Sequence, residues 1–306
     1  MSSSEVVVLC GGTGGAKLAS GLAAALGAER LATIVNTGDD IEIYGAHVSP
    51  DPDLVSFWLA GTIDERGWGL AGDTFAVMDA LRALGVEIWF NLGDRDLAWC
   101  LRRSELLSQG LSPTAALARL NAAIGVGSSV LPMSDDPVRT WVHTERGGWR
   151  AFQQFMIQDR AQGPLSGLEF RGAERARPSA ELLAAIAGAR AIVIGPSNPL
   201  ASIAPILAVP GLRDALRDAP APVVAVSPVV AGGVLKGPTA SFLEYAGLPC
   251  SASGVASYYG ELLDGMVADE QVPALPTLRT GTLMDDAGAR ARLAEETLAF
   301  AESLVR

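Results

Sequence analysis

The amino-acid sequence predicts an α/β protein with a Rossmann-like, doubly wound and mainly parallel sheet that carries a small inserted helix and antiparallel-strand cap. Short β-branched segments alternate with helical patterns in both halves of the chain, which is typical of βαβ units. A glycine-rich turn follows the first strand, as it does in many nucleotide-binding sheets. The alternation stops between the halves, where residues 138–172 form a hairpin pattern around Arg146-Gly147-Gly148.

The elements follow from these patterns in chain order. In the first half we expect strands at 6–10, 31–35 and 87–90, a helix after the glycine-rich turn, and helices from Asp53, Asp73 and Asp96, each placed as an N-cap. In the second half we expect strands at 191–195 and 222–227, helices near 199–208, 239–246 and 255–263, and a terminal helix from about Asp286 to Val305.

The domain organisation follows from the same patterns. We interpret residues 1–306 as a single Rossmann-like domain and 110–180 as an inserted cap subdomain. A helix over 112–124 introduces this cap, because Ser112 is a good N-cap and Pro113 suits the first turn. The apolar cap strands are a candidate homodimer interface.

Composition excludes several classes of partner. The net charge is −11, with 23 Lys and Arg against 34 Asp and Glu, so the chain lacks the positive surface that nucleic acid or an anionic membrane requires. The three cysteines are far apart and form no CxxC pair, which favours a reducing compartment. The sequence shows no signal peptide and no apolar stretch that could span a membrane. We therefore expect a cytoplasmic protein that holds any anion locally.

The segment CGGTGGAKLASGL at 10–22 joins the first strand to a helix, where backbone N–H groups converge as in anion sites. It matches neither the dinucleotide fingerprint nor Walker A. Asn36 stands where a typical NAD site has an acidic residue, which disfavours an oxidoreductase. The glycines have a second interpretation, in which they only let the helix pack closely on the strand. Lys17, one of two lysines in the chain, favours the anion site.

Paired aspartates precede helices or follow strands at four places. Because the carboxyl ends of parallel strands form the ligand crevice, at least the first three pairs are expected to converge there. Clustered carboxylates beside a phosphate site favour Mg²⁺, although any single aspartate also suits a cap or a turn. The pairs are Asp39 and Asp40, Asp51 and Asp53, Asp94 and Asp96, and Asp135 and Asp136.

Two more loops have the composition of phosphate or substrate cradles. GPSNP at 195–199 offers Ser197 and Asn198 as donors, and the loop at 227–238 contains the second lysine, Lys236. Ordinary turn chemistry is the alternative for both. A hydrolase is disfavoured, because the chain has two histidines and no G-x-S-x-G elbow.

Together these motifs resemble one family over nearly the whole chain. They resemble, in order, the 2-phospho-L-lactate transferase family of deazaflavin coenzyme F-420 biosynthesis. The resemblance implies a cytoplasmic Mg²⁺-dependent transferase with a Rossmann-like core. Such an enzyme moves a 2-phospholactyl, phosphoenolpyruvyl or phosphoglyceryl group from a guanosine diphosphate-linked donor to the ribityl hydroxyl of the deazaflavin Fo, and GMP leaves. The motifs are GGTGGAKL (11–18), NTGDD (36–40), SPDPD (49–53), LGDRDLA (92–98), LPMSDDPV (131–138), IGPSNPLASIAPIL (194–207) and AVSPVV (225–230).

The resemblance also implies residue roles. The donor's nucleotide and phosphates are expected at Gly11, Gly12, Thr13, Gly14, Gly15, Lys17, Gly195, Ser197 and Asn198. Asp39 and Asp40 are expected to hold Mg²⁺, and Asp53 matches an aspartate that contacts the deazaflavin and orients the attacking hydroxyl. The expected catalytic residues are Asp39, Asp53 and Lys17, and the expected acceptor-side residues are Asn91, Asp94, Arg95 and Asp96.

Two departures from the family pattern fall near the expected acceptor pocket. Asn91 stands where a basic residue is frequent, and Trp99-Cys100 replaces a Thr-His pair. These departures motivate an alternative function, a non-catalytic nucleotide or nucleotide-sugar binding regulatory protein of the same superfamily.

Overall fold

The computed structural model describes residues 4–234 and 237–304, and a seven-stranded parallel sheet organises them. This sheet confirms the predicted α/β, Rossmann-like fold. Its inner strands are runs of buried Val, Ile and Ala, as expected for a parallel sheet covered on both faces. In spatial order the strands are β14 (Thr277–Arg279), β13 (Gly265–Ala268), β10 (Val223–Val226), β9 (Ala191–Ile194), β1 (Val6–Cys10), β2 (Leu31–Val35) and β5 (Ser129–Pro132).

The strand order reverses between β1 and β9. From β1 the chain moves outward in one direction through β2 and β5, and from β9 it moves in the other direction through β10, β13 and β14. Ligands of doubly wound sheets bind at such a reversal, beyond the carboxyl ends of the strands. The glycine-rich turn after β1 and the loop after β9 both lie there.

Helices cover both faces of the sheet. On one face Leu18 and Leu22 of the first helix and Leu293 of the last pack against Val6 and Val193. On the other face a larger apolar cluster joins the sheet to the helices of the second half. The helices are α1 (Gly12–Leu26), α2 (Pro50–Leu59), α3 (Ala76–Ala83), α4 (Asp94–Ser108), α5 (Pro113–Ala123), α6 (Phe152–Ile157), α7 (Ala180–Gly188), α8 (Ala204–Ala208), α9 (Leu212–Asp218), α10 (Thr239–Tyr245), α11 (Ala252–Tyr259) and α12 (Ala287–Ser303).

Within the described residues, no single helix meets the length and hydropathy of a membrane span. One pair, Pro199–Ala208 and Leu212–Asp218, meets them only when taken together, and it is bent by 90°.

Several predicted boundaries are confirmed by cap contacts. The Asp286 carboxylate accepts a hydrogen bond from the Ala289 N–H (2.8 Å) and caps α12. Ser112 Oγ accepts from the Ala115 N–H and caps α5, with Pro113 in its first turn. The helix predicted near 199–208 begins as a π-helical turn at Pro199–Ile203 and continues as α8.

Other predicted boundaries are wrong. Residues 87–90 form no strand, because the place beside β2 is taken by β5, and Ile88 and Phe90 pack as irregular chain against an apolar cluster of the first half. The helices predicted to start at Asp53 and Asp96 begin earlier, so both aspartates lie inside α2 and α4 and neither is an N-cap. The helix predicted from Asp73 begins at Ala76.

A separate antiparallel sheet forms beside the main one. Its strands are β6 (Arg139–Thr144), β7 (Gly148–Ala151) and β8 (Leu165–Arg171), in the order β7-β6-β8, and α6 lies between β7 and β8. We call these three strands and α6 the cap. The antiparallel hairpin predicted there is confirmed, although residues 152–157 are helical.

Two short hairpins complete the fold, and neither was predicted. One comprises β3 (Ile41–Ile43) and β4 (Ala46–Val48), and the other comprises β11 (Val229–Val230) and β12 (Gly233–Val234). The first follows the NTGDD segment directly, so it fixes the position of Asp40.

Candidate active site

The glycine-rich turn after β1 and the predicted cradle loop at 195–199 meet across the strand-order reversal. The Gly11 N–H donates to Ser197 Oγ (3.2 Å), which links the turn after β1 to the loop after β9. A Cβ atom on Gly14 would overlap the carbonyl oxygen of Pro196, and one on Gly15 would overlap Cys10 and Ser197. Close packing therefore explains Gly14 and Gly15, as the second interpretation of these glycines requires.

The first turn of α1 also offers open hydrogen-bond donors. Among the described residues, no group accepts a hydrogen bond from the N–H of Thr13 or Gly14. These groups lie at the positive end of the helix dipole, where an anion is stabilised. Gly12 has a φ of +66°, and a Cβ atom on this residue would meet nothing within 4 Å, so the turn is open here. The turn thus has a packed side and a side available to an anion.

A carboxylate occupies part of this turn. Asp51 Oδ1 accepts from the Gly12 N–H (2.6 Å) and Oδ2 accepts from Asn36 Nδ2 (2.9 Å). Burial raises the pKa of Asp51 to about 6 despite these two hydrogen bonds, and the charge of Asp40 adds to the rise. The sequence placed Asp51 only in an aspartate pair. Its signal was Pro50, which starts α2 and puts Asp51 in the first turn.

Asp39 has an unpaired oxygen in the protein interior. Its side chain is 5% exposed, and Oδ2 accepts from Gln153 Nε2 of the cap (3.0 Å). Oδ1 is buried and has no hydrogen-bond partner among the described residues. Burial, followed by the charges of Asp51 and Asp40, raises the pKa of Asp39 well above its usual value. A cation at Oδ1 would stabilise the charged form.

The β3-β4 hairpin holds Asp40. Ser49 Oγ donates to Asp40 Oδ1 (2.6 Å), His47 Nε2 lies 3.1 Å from Asp40 Oδ2, and His47 Nδ1 contacts Glu42. Burial lowers the pKa of His47, but the hydrogen bond and charge of Asp40 and the charge of Glu42 outweigh this effect and raise it. The two aspartates predicted to bind a metal therefore differ. Both oxygens of Asp40 have partners, whereas Oδ1 of Asp39 has none among the described residues.

Asp53 lies in a buried ion pair. Both of its oxygens accept hydrogen bonds from the Arg103 guanidinium, and Trp99 Nε1 donates to Oδ1 (2.7 Å). Burial raises the pKa of Asp53, and Arg103 partly offsets that rise. Sequence reasoning missed Arg103, which lies one helical turn after Trp99 on the same face of α4.

Asp96 lies beside this pair. Within the described residues, Asp53, Asp96 and Cys100 form a group whose potential metal-ligand atoms all lie within 4.8 Å of one another. Because Arg103 and Trp99 already bind both oxygens of Asp53, the group is a poor cation site. Burial and then the charges of Asp53 and Asp73 raise the pKa of Asp96 to about 7.

The other predicted acceptor-side residues are engaged locally. The Asp94 carboxylate accepts from the backbone N–H groups of Ala76 and Val77, Arg95 Nη1 donates to the Ala71 carbonyl, and Arg82 Nη2 donates to Asn91 Oδ1. All of these contacts are exposed to solvent, so they fix the segment before α4 without filling a closed pocket.

The remaining predicted donor residues lie around the cradle. Lys17 Nζ is 5.9 Å from the centroid of the Trp58 ring, a cation–π contact with α2. Asn198 Oδ1 accepts from the Leu200 and Ala201 N–H groups, while its Nδ2 is buried without a partner in the described chain. The Gly195 N–H continues the pairing of β9 with β1 through the Leu9 carbonyl. Lys236 lies outside the described residues.

An open cleft of about 190 Å³ separates the NTGDD segment from the cap. Asp39 and Asp40 line one side, and residues of β6, β7 and α6 line the other. Asp51, which accepts from Gly12 and Asn36, links the first turn of α1 to the segment that carries Asp39 and Asp40 at the cleft.

Known proteins similar to this chain agree on one family. The family model described as "2-phospho-L-lactate transferase CofD" matches residues 6–286. A 2-phospho-L-lactate transferase of Methanosarcina mazei is 39% identical over 267 residues, covering 87% of each chain. A phosphoenolpyruvate transferase of Kitasatospora aureofaciens is 40% identical over 316 residues, covering 98% of each chain.

Solved structures support the fold. A crystal structure of a UPF0052 family member from Bacillus halodurans superposes with a TM-score of 0.58 at 18% identity, covering 88% of this chain and 81% of the other. At that identity the likeness concerns architecture alone. The match over residues 6–286 and the relatives near 40% identity show that this chain belongs to the 2-phospho-L-lactate transferase CofD family.

Proposed function

We propose that this protein is a transferase that moves a phospho-three-carbon-acid group from a guanosine diphosphate-linked donor to the ribityl hydroxyl of the deazaflavin Fo, releasing GMP in coenzyme F-420 biosynthesis. The transferred group is 2-phospholactyl, phosphoenolpyruvyl or phosphoglyceryl. Relatives named 2-phospho-L-lactate transferase and phosphoenolpyruvate transferase support this class of reaction.

One structural observation carries the proposal. Open N–H groups of Thr13 and Gly14 lie at the same sheet edge as the buried, unpaired Oδ1 of Asp39. Phosphoryl transfer depends mainly on positioning and charge neutralisation, so it needs no nucleophilic side chain. N–H groups that are open to phosphate can position the donor. A nearby unpaired carboxylate oxygen can hold the cation that neutralises its charge.

The carboxylates fit Mg²⁺. The ion prefers oxygen ligands and keeps several waters, so one or two carboxylates are enough. Asp39 would hold it through Oδ1, with Asp40 and Asp51 as the neighbouring charges, and it would neutralise the diphosphate of the donor.

Each remaining residue has a separate task in this reaction. Thr13 and Gly14 bind phosphate oxygens, and Lys17 supplies positive charge near the same turn. Asp53, held by Arg103, orients the attacking hydroxyl. Asp96 has a carboxylate oxygen within 4.8 Å of one of Asp53, and with its raised pKa it accepts the hydroxyl proton as the new phosphodiester bond forms and the bond to GMP breaks.

The test is direct. The protein is incubated with Fo, Mg²⁺ and each of the three donors, and the phosphodiester product and GMP are followed by mass spectrometry. Asp39→Asn is the inactive variant, and Asp285→Asn, at an exposed position before α12, is the matched control with the same charge change. Absence of product with all three donors would contradict the proposal.

One observation favours the alternative, a nucleotide-binding regulatory protein. Trp99, a departure from the family pattern, donates to Asp53 and encloses the aspartate expected to contact the acceptor. Fo binding, measured by deazaflavin fluorescence, separates the two functions. A regulator would bind guanine nucleotide without binding Fo.

A further inference from the structure

The cap side of the cleft beside the NTGDD segment has no role in the function proposed so far. The volume of the cleft is about 190 Å³, and its lining includes Asp39, Arg139, Trp141 and Phe152. The residues expected to bind nucleotide lie at the ends of β1 and β9, and those expected to bind the acceptor lie on α2 and α4. The cleft is thus a third compartment beside the same carboxylates.

A buried unpaired group connects this compartment to the reacting centre. Asp39 lines the cleft, and Gln153 of the cap binds its Oδ2 while Oδ1 has no partner in the described chain. The oxygen proposed to face Mg²⁺ therefore belongs to a residue that also borders the cleft. We therefore expect a group attached to a phosphate on that metal to extend into the cleft.

Arg139 supplies the positive charge of the cleft. Its Nη1 donates to the carbonyls of Val138 (2.8 Å) and Thr37 (3.5 Å) and lies 4.0 Å from Asp40 Oδ2. In residues 4–234 and 237–304, nothing accepts a hydrogen bond from its Nε or Nη2, and the side chain is 30% exposed. One edge of the guanidinium is therefore held by the protein and the other is available.

We infer that this cleft receives the three-carbon acid of the donor and that Arg139 binds its carboxylate. The inference rests on the proposed function. The donor carries its nucleoside and its acid at opposite ends of a diphosphate, so a nucleotide at the α1 turn places the acid beyond the carboxylates. A carboxylate beside Asp39, Asp40 and Glu42 needs a cation, and the planar guanidinium fork matches a carboxylate in two hydrogen bonds.

The experiment compares ligands with and without the carboxylate. Affinities are measured by calorimetry in Mg²⁺ for GDP, for GDP esterified with each three-carbon acid, and for the GDP ester of 2-propanol. Arg139→Ala and Arg139→Lys are compared with Arg146→Ala, which removes the same charge from the exposed β6-β7 turn. Thermal unfolding of each variant confirms that the fold is retained.

We expect Arg139→Ala to weaken binding of the acid esters about 10- to 100-fold, the range for a lost hydrogen bond to a charged group. Affinity for GDP and for the 2-propanol ester should stay within twofold of wild type. Arg139→Lys should recover part of the loss, and Arg146→Ala should cause none. In turnover the loss should appear mainly in KM for the donor.

Two results would overturn the inference. One is equal weakening of all three ligand types by Arg139→Ala, which would make Arg139 a structural residue. The other is unchanged affinity for the acid esters. Failure of the wild-type protein to form product would instead remove the proposed function, since these binding measurements do not depend on Fo.

Discussion

Asp73 and Asp94 cap each other's helices. The Asp73 carboxylate accepts from the N–H groups of Arg95 (2.9 Å) and Asp96 (3.0 Å) at the start of α4, and Asp94 accepts from the first N–H groups of α3. The hydrogen bond from Thr74 is the largest cause that lowers the pKa of Asp94. A side chain on Gly93 would overlap Asp73, so the segment that starts α3 packs directly against the segment that starts α4.

This reciprocal capping predicts a specific pattern of stability. Asp73→Ala should lower the free energy of unfolding by about 1 kcal/mol, because two N–H groups of α4 lose their acceptor. Asp94→Ala should also destabilise the protein. The double variant should lose less free energy of unfolding than the two single losses added together, because both changes loosen the same pair of helix starts. Urea unfolding measures all three. Asp285→Ala, an exposed change outside α3 and α4, is the control, and strict additivity would argue against coupling between the two helix starts.

The buried ion pair between Asp53 and Arg103 predicts a larger effect. Arg103→Ala should destabilise by about 3–5 kcal/mol, because it leaves a buried carboxylate with no opposite charge. Replacing both residues, as Asp53→Leu with Arg103→Met, should be much less harmful to stability. Denaturant titration compares the two variants. A double variant as unstable as Arg103→Ala would mean that packing around Trp99, and not charge, limits stability.

The unpaired, buried Oδ1 of Asp39 predicts that a substitution here lowers activity without lowering stability. Asp39→Asn should nearly abolish Mg²⁺-dependent turnover while leaving the free energy of unfolding unchanged or higher by about 1 kcal/mol, because an unpaired buried charge is removed. Turnover and thermal unfolding are measured on the same preparation. Wild-type turnover in this variant would contradict the metal role.

The raised pKa of Asp96 predicts that the free energy of unfolding falls as pH rises. Its pKa is about 7 in the folded protein against an ordinary value of 3.8, so the folded state holds the proton more tightly. The resulting stability is complete below pH 3.8 and is lost as pH rises through 7. Asp53, Asp73 and Arg103 are the charged groups that face it.

The corresponding variant is Asp96→Asn. It should be more stable than wild type by roughly 4 kcal/mol at pH 8 and about equal to it near pH 4, from about 1.4 kcal/mol for each unit of pKa. Thermal unfolding across that range gives the comparison. A constant difference between the two proteins at every pH would contradict the raised pKa.

The position of Lys17, one helical turn after Thr13, predicts that its removal weakens nucleotide binding. Lys17→Ala should weaken GDP binding about 5- to 10-fold, since a charge near the α1 turn is lost. Arg290 also lies over Trp58, 5.1 Å from the ring centroid, and Arg290→Ala is the comparison because it removes the other cation on this ring from α12, which packs against α1 at Gly21. Equal effects of both variants would mean that Lys17 serves packing against Trp58.

The sequence predicted those features that depend on neighbours along the chain. The α1 turn, the Ser112 cap and the antiparallel cap strands each follow from a short local pattern. The position of β5 did not follow, because a four-residue strand with a proline has a weak signal. The strand expected at 87–90 had the stronger signal but no neighbour in the sheet, since pairing is decided by tertiary packing.

The roles of the aspartates also depend on tertiary contacts that local sequence patterns do not contain. Asp51 and Asp53 were predicted as one pair, but residues two apart on a helix point in different directions. Asp51 reaches Gly12 of α1, whereas Asp53 reaches Arg103 of α4. The partner of Asp53 lies fifty residues away, so no local pattern contains it.

The contact of Gly14 with Pro196 limits how this protein can respond to a ligand. The two loops at the strand-order reversal already touch through backbone atoms, so they cannot move closer together when phosphate binds. The first turn of α1 is therefore preorganised for the phosphate that we propose it binds, and little conformational entropy should be lost there on binding. The cap, whose Gln153 and Arg139 contact Asp39 and Asp40, is therefore the side where we expect any adjustment to the proposed donor.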